Sequence, residues 1–138
     1  MKKIRSYFAV GLGLALLFAC STSAPGKSSS CSSTPKSDGD YPCDVGKVIQ
    51  DRCQECHQNP PQHSAHFSLL SFEDTQQPYV AGQLRWQRMA YVIEPESIPH
   101  MPYADAGQLS PDELKTLRDW FAACAPPAPE GQGCDQGE

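Results

Sequence analysis

Basic residues are in the minority in this chain of 138 residues: 11 Lys and Arg stand against 16 Asp and Glu, a formal charge of -5. A protein that holds nucleic acid without regard to sequence needs a basic face to displace phosphate counterions, and this balance argues against one. No apolar stretch reaches the roughly 20 residues of a membrane helix, and a mean hydropathy of -0.48 excludes a polytopic membrane protein. Convincing alternation of apolar and polar residues is missing, as are Asn-Gly or Asp-Gly turns between apolar runs, so no β-hairpin is announced. The length suits one domain and leaves little for a second. Against these absences stand 13 Pro and 7 Cys. So many thiols in so short a chain point to disulfides, metal or a covalent cofactor.

The first residues read as an export leader. Lys2, Lys3 and Arg5 form a positive start, and Tyr7 to Ala19 is a run of 13 residues without a charge. That run is too short for a membrane span and matches the core of a signal peptide. Leu17-Phe18-Ala19-Cys20 then resembles the lipobox of bacterial lipoproteins. The resemblance implies cleavage after residue 19, lipidation of Cys20, export to the periplasm and attachment to a membrane. Ser21 stands where some bacteria place an Asp to mark inner-membrane retention, which leaves sorting to the outer membrane open. Loss of Lys2, Lys3 and Arg5 with the leader takes the formal charge from -5 to -8.

Residues 20–40 read as a tether. Ser21 to Asp40 holds eight Ser, two Thr and two Pro, with no large apolar side chain. Such a stretch buries too little surface to offset its ordering entropy, so a flexible leash is expected. Cys31 lies inside it with no assigned role. A folded head is expected over 41–125 and a Pro/Gly-rich tail over 126–138.

The head reads as all-α. Asp44 is placed to cap a helix whose Val45, Val48, Ile49 and Cys53 share one stripe. The stretch from Asn59 to Leu70, with Pro60 and Pro61, reads as loop. Ser71 opens a short helix that Pro78 ends. Trp86, Met89, Ala90 and Ile93 recur at helical spacing and read as core. Glu94 to Gly107, with Pro95, Pro99 and Pro102, is an irregular loop. Ser110-Pro111-Asp112-Glu113 is a helix start with a capping Ser, Pro in the first turn and Glu three residues on. Leu114, Leu117, Phe121 and Cys124 continue its apolar face. So small a core calls for a prosthetic group at its centre.

Cys53-Gln54-Glu55-Cys56-His57 carries the chemistry. Two thiols three positions apart can each add to a haem vinyl group, and the following His is placed to ligate the iron, which is the attachment signal of c-type haem. A zinc site needs a second ligand pair, and the remaining Cys and His do not repeat the spacing. A dithiol redox pair needs a βαβ setting that the chain lacks.

With this motif the head resembles the class I c-type cytochromes of bacteria, mono-haem proteins with a small helical domain. The resemblance covers most of Tyr41 to Cys124. It implies one covalent haem c on Cys53 and Cys56, with His57 as proximal iron ligand and Met101, in Pro99-His100-Met101-Pro102, as the sixth. His100 is the alternative to Met101, since imidazole also suits iron. The family's closing helix, here with Trp120 and Phe121, packs on its first. Two departures stand out: Val45 occupies a position where the family often has Gly, and Gln58-Asn59-Pro60-Pro61 replaces glycines after the haem His. The carbonyl of Pro60 or Pro61 is then left to accept the second ring N–H of His57. His63 and His66 read as solvated loop residues. Arg85 and Arg88 are candidates for the haem propionates, guanidinium being suited to bidentate pairing.

The resemblance implies an electron carrier, not an enzyme: two strong axial ligands leave no site for substrate. The alternative is a haem enzyme, peroxidase-like, or a small-gas-binding protein with an open sixth position. Expected partners are redox proteins with basic docking faces, met by an acidic monomer, and the membrane through the lipid; nucleic acid is not among them. The resemblance also bears on disulfides, because the helices that begin at Cys43 and end at Cys124 cross in the family fold. Cys43 is expected to bond Cys134 on the tail, with Cys124 as the alternative. An exported protein oxidises thiols held close together.

Overall fold

The computed structural model describes residues 31, 34–36 and 38–134. The leader, Cys20 and the first part of the tether lie outside the described residues. Among the described residues four helices follow one another: α1 (Cys43–Arg52), α2 (Phe72–Gln76), α3 (Arg85–Val92) and α4 (Pro111–Ala122), with a single 3₁₀ turn at Ala104–Ala106 before α4. Helix α1 packs on α4, α4 on α3, and α3 on α2. Extended pairing among the described residues is limited to two isolated bridges, Pro42 with Gly133 and Pro78 with Leu84. The head is all-α. No helix among the described residues is long and apolar enough to cross a membrane.

The helix starts follow local chemistry. Ser110 accepts the N–H of Glu113 while the Glu113 carboxylate accepts the N–H of Ser110, with Pro111 supplying the first turn. Ser71 and Asp74 make the same reciprocal pair at α2. At α1 the sequence reading is off by a turn position. Pro42 precedes the helix and Asp44 lies within its first turn, bonding the N–H of Val45, where a carboxylate still complements the helix dipole. Helix α3 begins at Arg85, with the Gln87 side chain accepting the N–H of Leu84.

The core gathers Val45, Val48 and Ile49 of α1, Phe72, Trp86, Met89, and Leu117, Trp120 and Phe121 of α4. Tyr41 seals one side. Its ring meets Phe72 and Trp120 edge-on, and its hydroxyl donates to the carbonyl of Ser71 at 2.7 Å. Burial raises its pKa well above the usual phenol value. Trp120 faces the α1 side as expected, whereas Phe121 stacks on Trp86 of α3, 6.3 Å between centroids.

The described residues between 31 and 40 do not stay apart from the head. Cys31 bonds Cys124 and Cys43 bonds Cys134, with Cα separations of 5.4 and 4.7 Å, both within ordinary disulfide reach. Cys43 therefore takes the tail partner, and Cys124, its alternative, takes the thiol that had no role. Lys36 donates to the carbonyl of Cys124, and Ala128 donates to that of Asp40. Gly133 packs so close to Asp40 that a Cβ there would collide with its side chain. Covalent links and close backbone contact hold a segment whose composition alone promises no order. The two disulfides are compatible with an exported protein.

Candidate functional site

Helix α1 delivers the motif. Its last turn hands over at Cys53, whose N–H bonds the carbonyl of Ile49, and the chain winds on so that the N–H of His57 reaches the carbonyl of Cys53 at 2.9 Å. This extra turn brings Cys53, Cys56 and His57 to one wall of a cavity of about 290 Å³, near the lower end of the range of small-molecule and cofactor sites. Phe67 and Leu69 continue that wall. Helix α3 contributes Arg88, Met89 and Val92, Ile93 follows at its C-cap, and Leu117 of α4 adds a further apolar side chain. The loop residues Pro99, Met101, Pro102 and Tyr103 also line the cavity.

The His57 ring is held from behind. Its Nδ1 donates to the carbonyl of Phe67 at 2.8 Å, and the two rings lie 5.0 Å apart. The acceptor is thus neither Pro60 nor Pro61. The loop after the motif folds back further along, where the N–H of Leu69 bonds the carbonyl of His57 and sets Phe67 beside the ring. A proton committed to Nδ1 leaves the Nε2 lone pair for a ligand. Burial lowers the pKa of His57, with the Phe67 carbonyl opposing it, which favours the neutral, ligating form.

Cys53 and Cys56 are the free thiols among the described cysteines, the other four being paired. Burial pushes the Cys53 thiol up to about 12, with the neighbouring Cys56 adding to the rise. Cys56 is also raised, by burial first and then by Glu55 and Asp105. Both are therefore neutral thiols at neutral pH, unlike the activated thiolate of a dithiol redox pair. No group of three or more His, Cys, Asp or Glu converges as a metal cluster among the described residues.

The structure separates His100 from Met101. Met101 lines the cavity. His100 is turned to the other side of its loop, with Nδ1 against the carbonyl of Glu94 and Nε2 against the Gln108 side chain, both at 2.9 Å. The two arginine candidates part in the same way. Arg88 reaches the cavity, while Arg85 bonds the carbonyl of Asp74, pairs with its carboxylate at 3.7 Å and lies over the Phe67 ring. Arg85 supports the back of the site and does not face it. Arg52, unremarked in the sequence, does line the cavity, with its Nε on Glu113 at 2.9 Å. Its position immediately before the first motif Cys was the available signal. His63 and His66 also line the cavity, since the loop that brings Phe67 to His57 carries them with it. Comparison with family models, curated proteins and solved structures finds no match to this chain.

Phe67, Tyr79 and Ser97 were likewise not singled out by spacing. Phe67 and Tyr79 meet edge-on at 5.8 Å by the cavity. Nothing in their local sequence distinguishes them from ordinary loop aromatics; the return of the loop gives them their place.

Proposed function

We propose that the head is a mono-haem c-type cytochrome that carries electrons, held to a membrane from the periplasmic side by lipid on Cys20. The carrying observation is that two neutral, unpaired thiols, an imidazole with one nitrogen tied down and a methionine thioether line one apolar cavity. That donor set fits a covalently held haem. Cys53 and Cys56 would form the two thioethers, and His57 and Met101 would supply the axial ligands. Such a group provides an iron that changes oxidation state with little rearrangement when both axial positions are filled.

The chain's own residues do the rest. The Phe67 carbonyl orients the His57 ring, and Met89, Val92, Ile93 and Leu117 exclude water from the cavity. Arg52 and Arg88 offer positive charge at its wall to acidic substituents of a bound group. The acidic surface favours partners with basic docking faces and makes association sensitive to salt.

An absorption spectrum of protein matured in an export-competent host tests this reading. Soret and α-bands that persist in denatured protein support it, and their absence overturns it. The second reading, a haem enzyme or gas-binding protein with an open sixth position, is separated by carbon monoxide. A carrier closed by Met101 binds little in the reduced state, while an open iron binds readily. Met101→Ala should remove the weak red-end band of iron–methionine ligation and admit carbon monoxide, whereas His100→Ala and Met89→Leu should do neither.

A further inference from the structure

Ser97 lies in the loop between α3 and Met101 and is one of three buried polar residues among those described, 6% exposed. Its hydroxyl approaches two carbonyls, Val92 at 2.8 Å and Pro99 at 3.2 Å. The Val92 carbonyl, at the last residue of α3, also accepts the backbone N–H of Met101 at 2.7 Å. Both lone-pair positions of one carbonyl are thus used to fasten one loop. Prolines at 95, 99 and 102 remove three backbone donors from this stretch, so few groups remain to hold it to the helix. The N–H of Ser97 is one of these, on the carbonyl of Glu94 at 2.9 Å.

We propose that Ser97 is a positioning residue for Met101: its hydroxyl ties the loop to the end of α3 and so holds the Met101 thioether at the cavity wall. The proposal rests on the reading of Met101 as an iron ligand. A thioether binds iron weakly, so ligation depends on a loop that is already in place and loses little entropy when the bond forms. The single hydroxyl proton serves one of these carbonyls at a time, the nearer being Val92; without it, Val92 keeps only the Met101 amide. The loop then opens more often, and the sixth position opens with it.

The test compares Ser97→Ala, Ser97→Thr and Thr75→Val in the full haem-loaded chain. Thr75 is a control, a buried hydroxyl that donates to the carbonyl of Phe72 outside this loop. Loss of one buried hydrogen bond predicts that Ser97→Ala raises amide exchange at Met101 and carbon monoxide affinity of the reduced protein about tenfold each, with a weaker red-end band. Ser97→Thr, which keeps the hydroxyl, should restore the band, and Thr75→Val should lower the melting temperature while leaving band and affinity unchanged. An intact band and unchanged carbon monoxide affinity in folded Ser97→Ala overturn the proposal. So does an equal effect from Thr75→Val, which would make the response one of general stability. The two readings fail separately: wild type that lacks haem bands, or that shows them without the methionine band, removes the ligand reading before Ser97 is tested. Met101 amide exchange still reports the loop by itself.

Discussion

Cys31 and Cys124 are joined across 93 residues of sequence, beside a second disulfide, Cys43–Cys134, that spans 91. The two rings overlap almost completely. Once either is closed, the other closes only a short loop made of residues 31–43 and 124–134. In the loop-entropy account the first closure is worth about 4–5 kcal/mol and the second about 3 kcal/mol. Removing either pair should therefore cost about 3 kcal/mol, and removing both about 8 kcal/mol, more than the sum of the singles. Denaturant unfolding of Cys31→Ser/Cys124→Ser, of Cys43→Ser/Cys134→Ser and of the quadruple variant checks this. Additive losses would refute shared closure.

The same link bears on the chain at Lys36. Lys36 donates to the Cys124 carbonyl within the tied segment. Trypsin should cut after Lys36 slowly in the oxidised protein and about tenfold faster in Cys31→Ser, because cleavage follows local opening. Equal rates would mean that the segment is loose despite the disulfide.

Each motif thiol should contribute one covalent link. Cys53→Ala and Cys56→Ala should each retain haem colour on a denaturing gel through the remaining thioether, and the double variant should lose it. Colour that survives in the double variant would put the attachment elsewhere. Arg85 predicts a contrast. Arg85→Gln loses its pairing with Asp74 and its contact with Phe67, for about 1 kcal/mol of stability, and leaves the reduction potential unchanged. Arg88→Gln, at the cavity wall, should shift it.

Acid stability should depend on Glu113. Backbone hydrogen bonding at Ser110 holds its carboxyl below the ordinary 4.5, and Arg52 adds to this. A carboxyl whose pKa is depressed on folding stabilises the protein fully above the unfolded value and loses that contribution as pH falls through the folded one. Melting temperature should thus decline below the ordinary glutamate range, and Glu113→Gln should flatten that decline while lowering stability at neutral pH. A variant with the same acid limb as wild type would assign the acid response to other carboxylates.

Much of this protein is written locally. The capping pairs at Ser71 and Ser110 set helix starts because their hydrogen bonds close within four residues, and Cys53-Gln54-Glu55-Cys56-His57 stands out because one turn of chain holds two thiols and an imidazole. Spacing also placed Val45, Val48, Ile49, Trp86, Met89 and Leu117 in the core, since a helix buries one face. What the tertiary structure alone decided are contacts between residues far apart or in loops without a period. The Phe67 carbonyl replaced Pro60 and Pro61 behind His57 because a ten-residue loop had to turn back first. Arg85 went to Asp74 and Arg52 to the cavity, although composition treats arginines alike. Backbone carbonyls at and just after the end of α3, Val92 for the Met101 N–H and Glu94 for the His100 ring, separated Met101 from its neighbour His100. Cys31 found Cys124 only once α4 had ended beside a segment whose sequence promises no order: local hydrogen bonding and periodicity are carried by neighbours in the chain, whereas partners across many residues exist only after the core has brought their elements together.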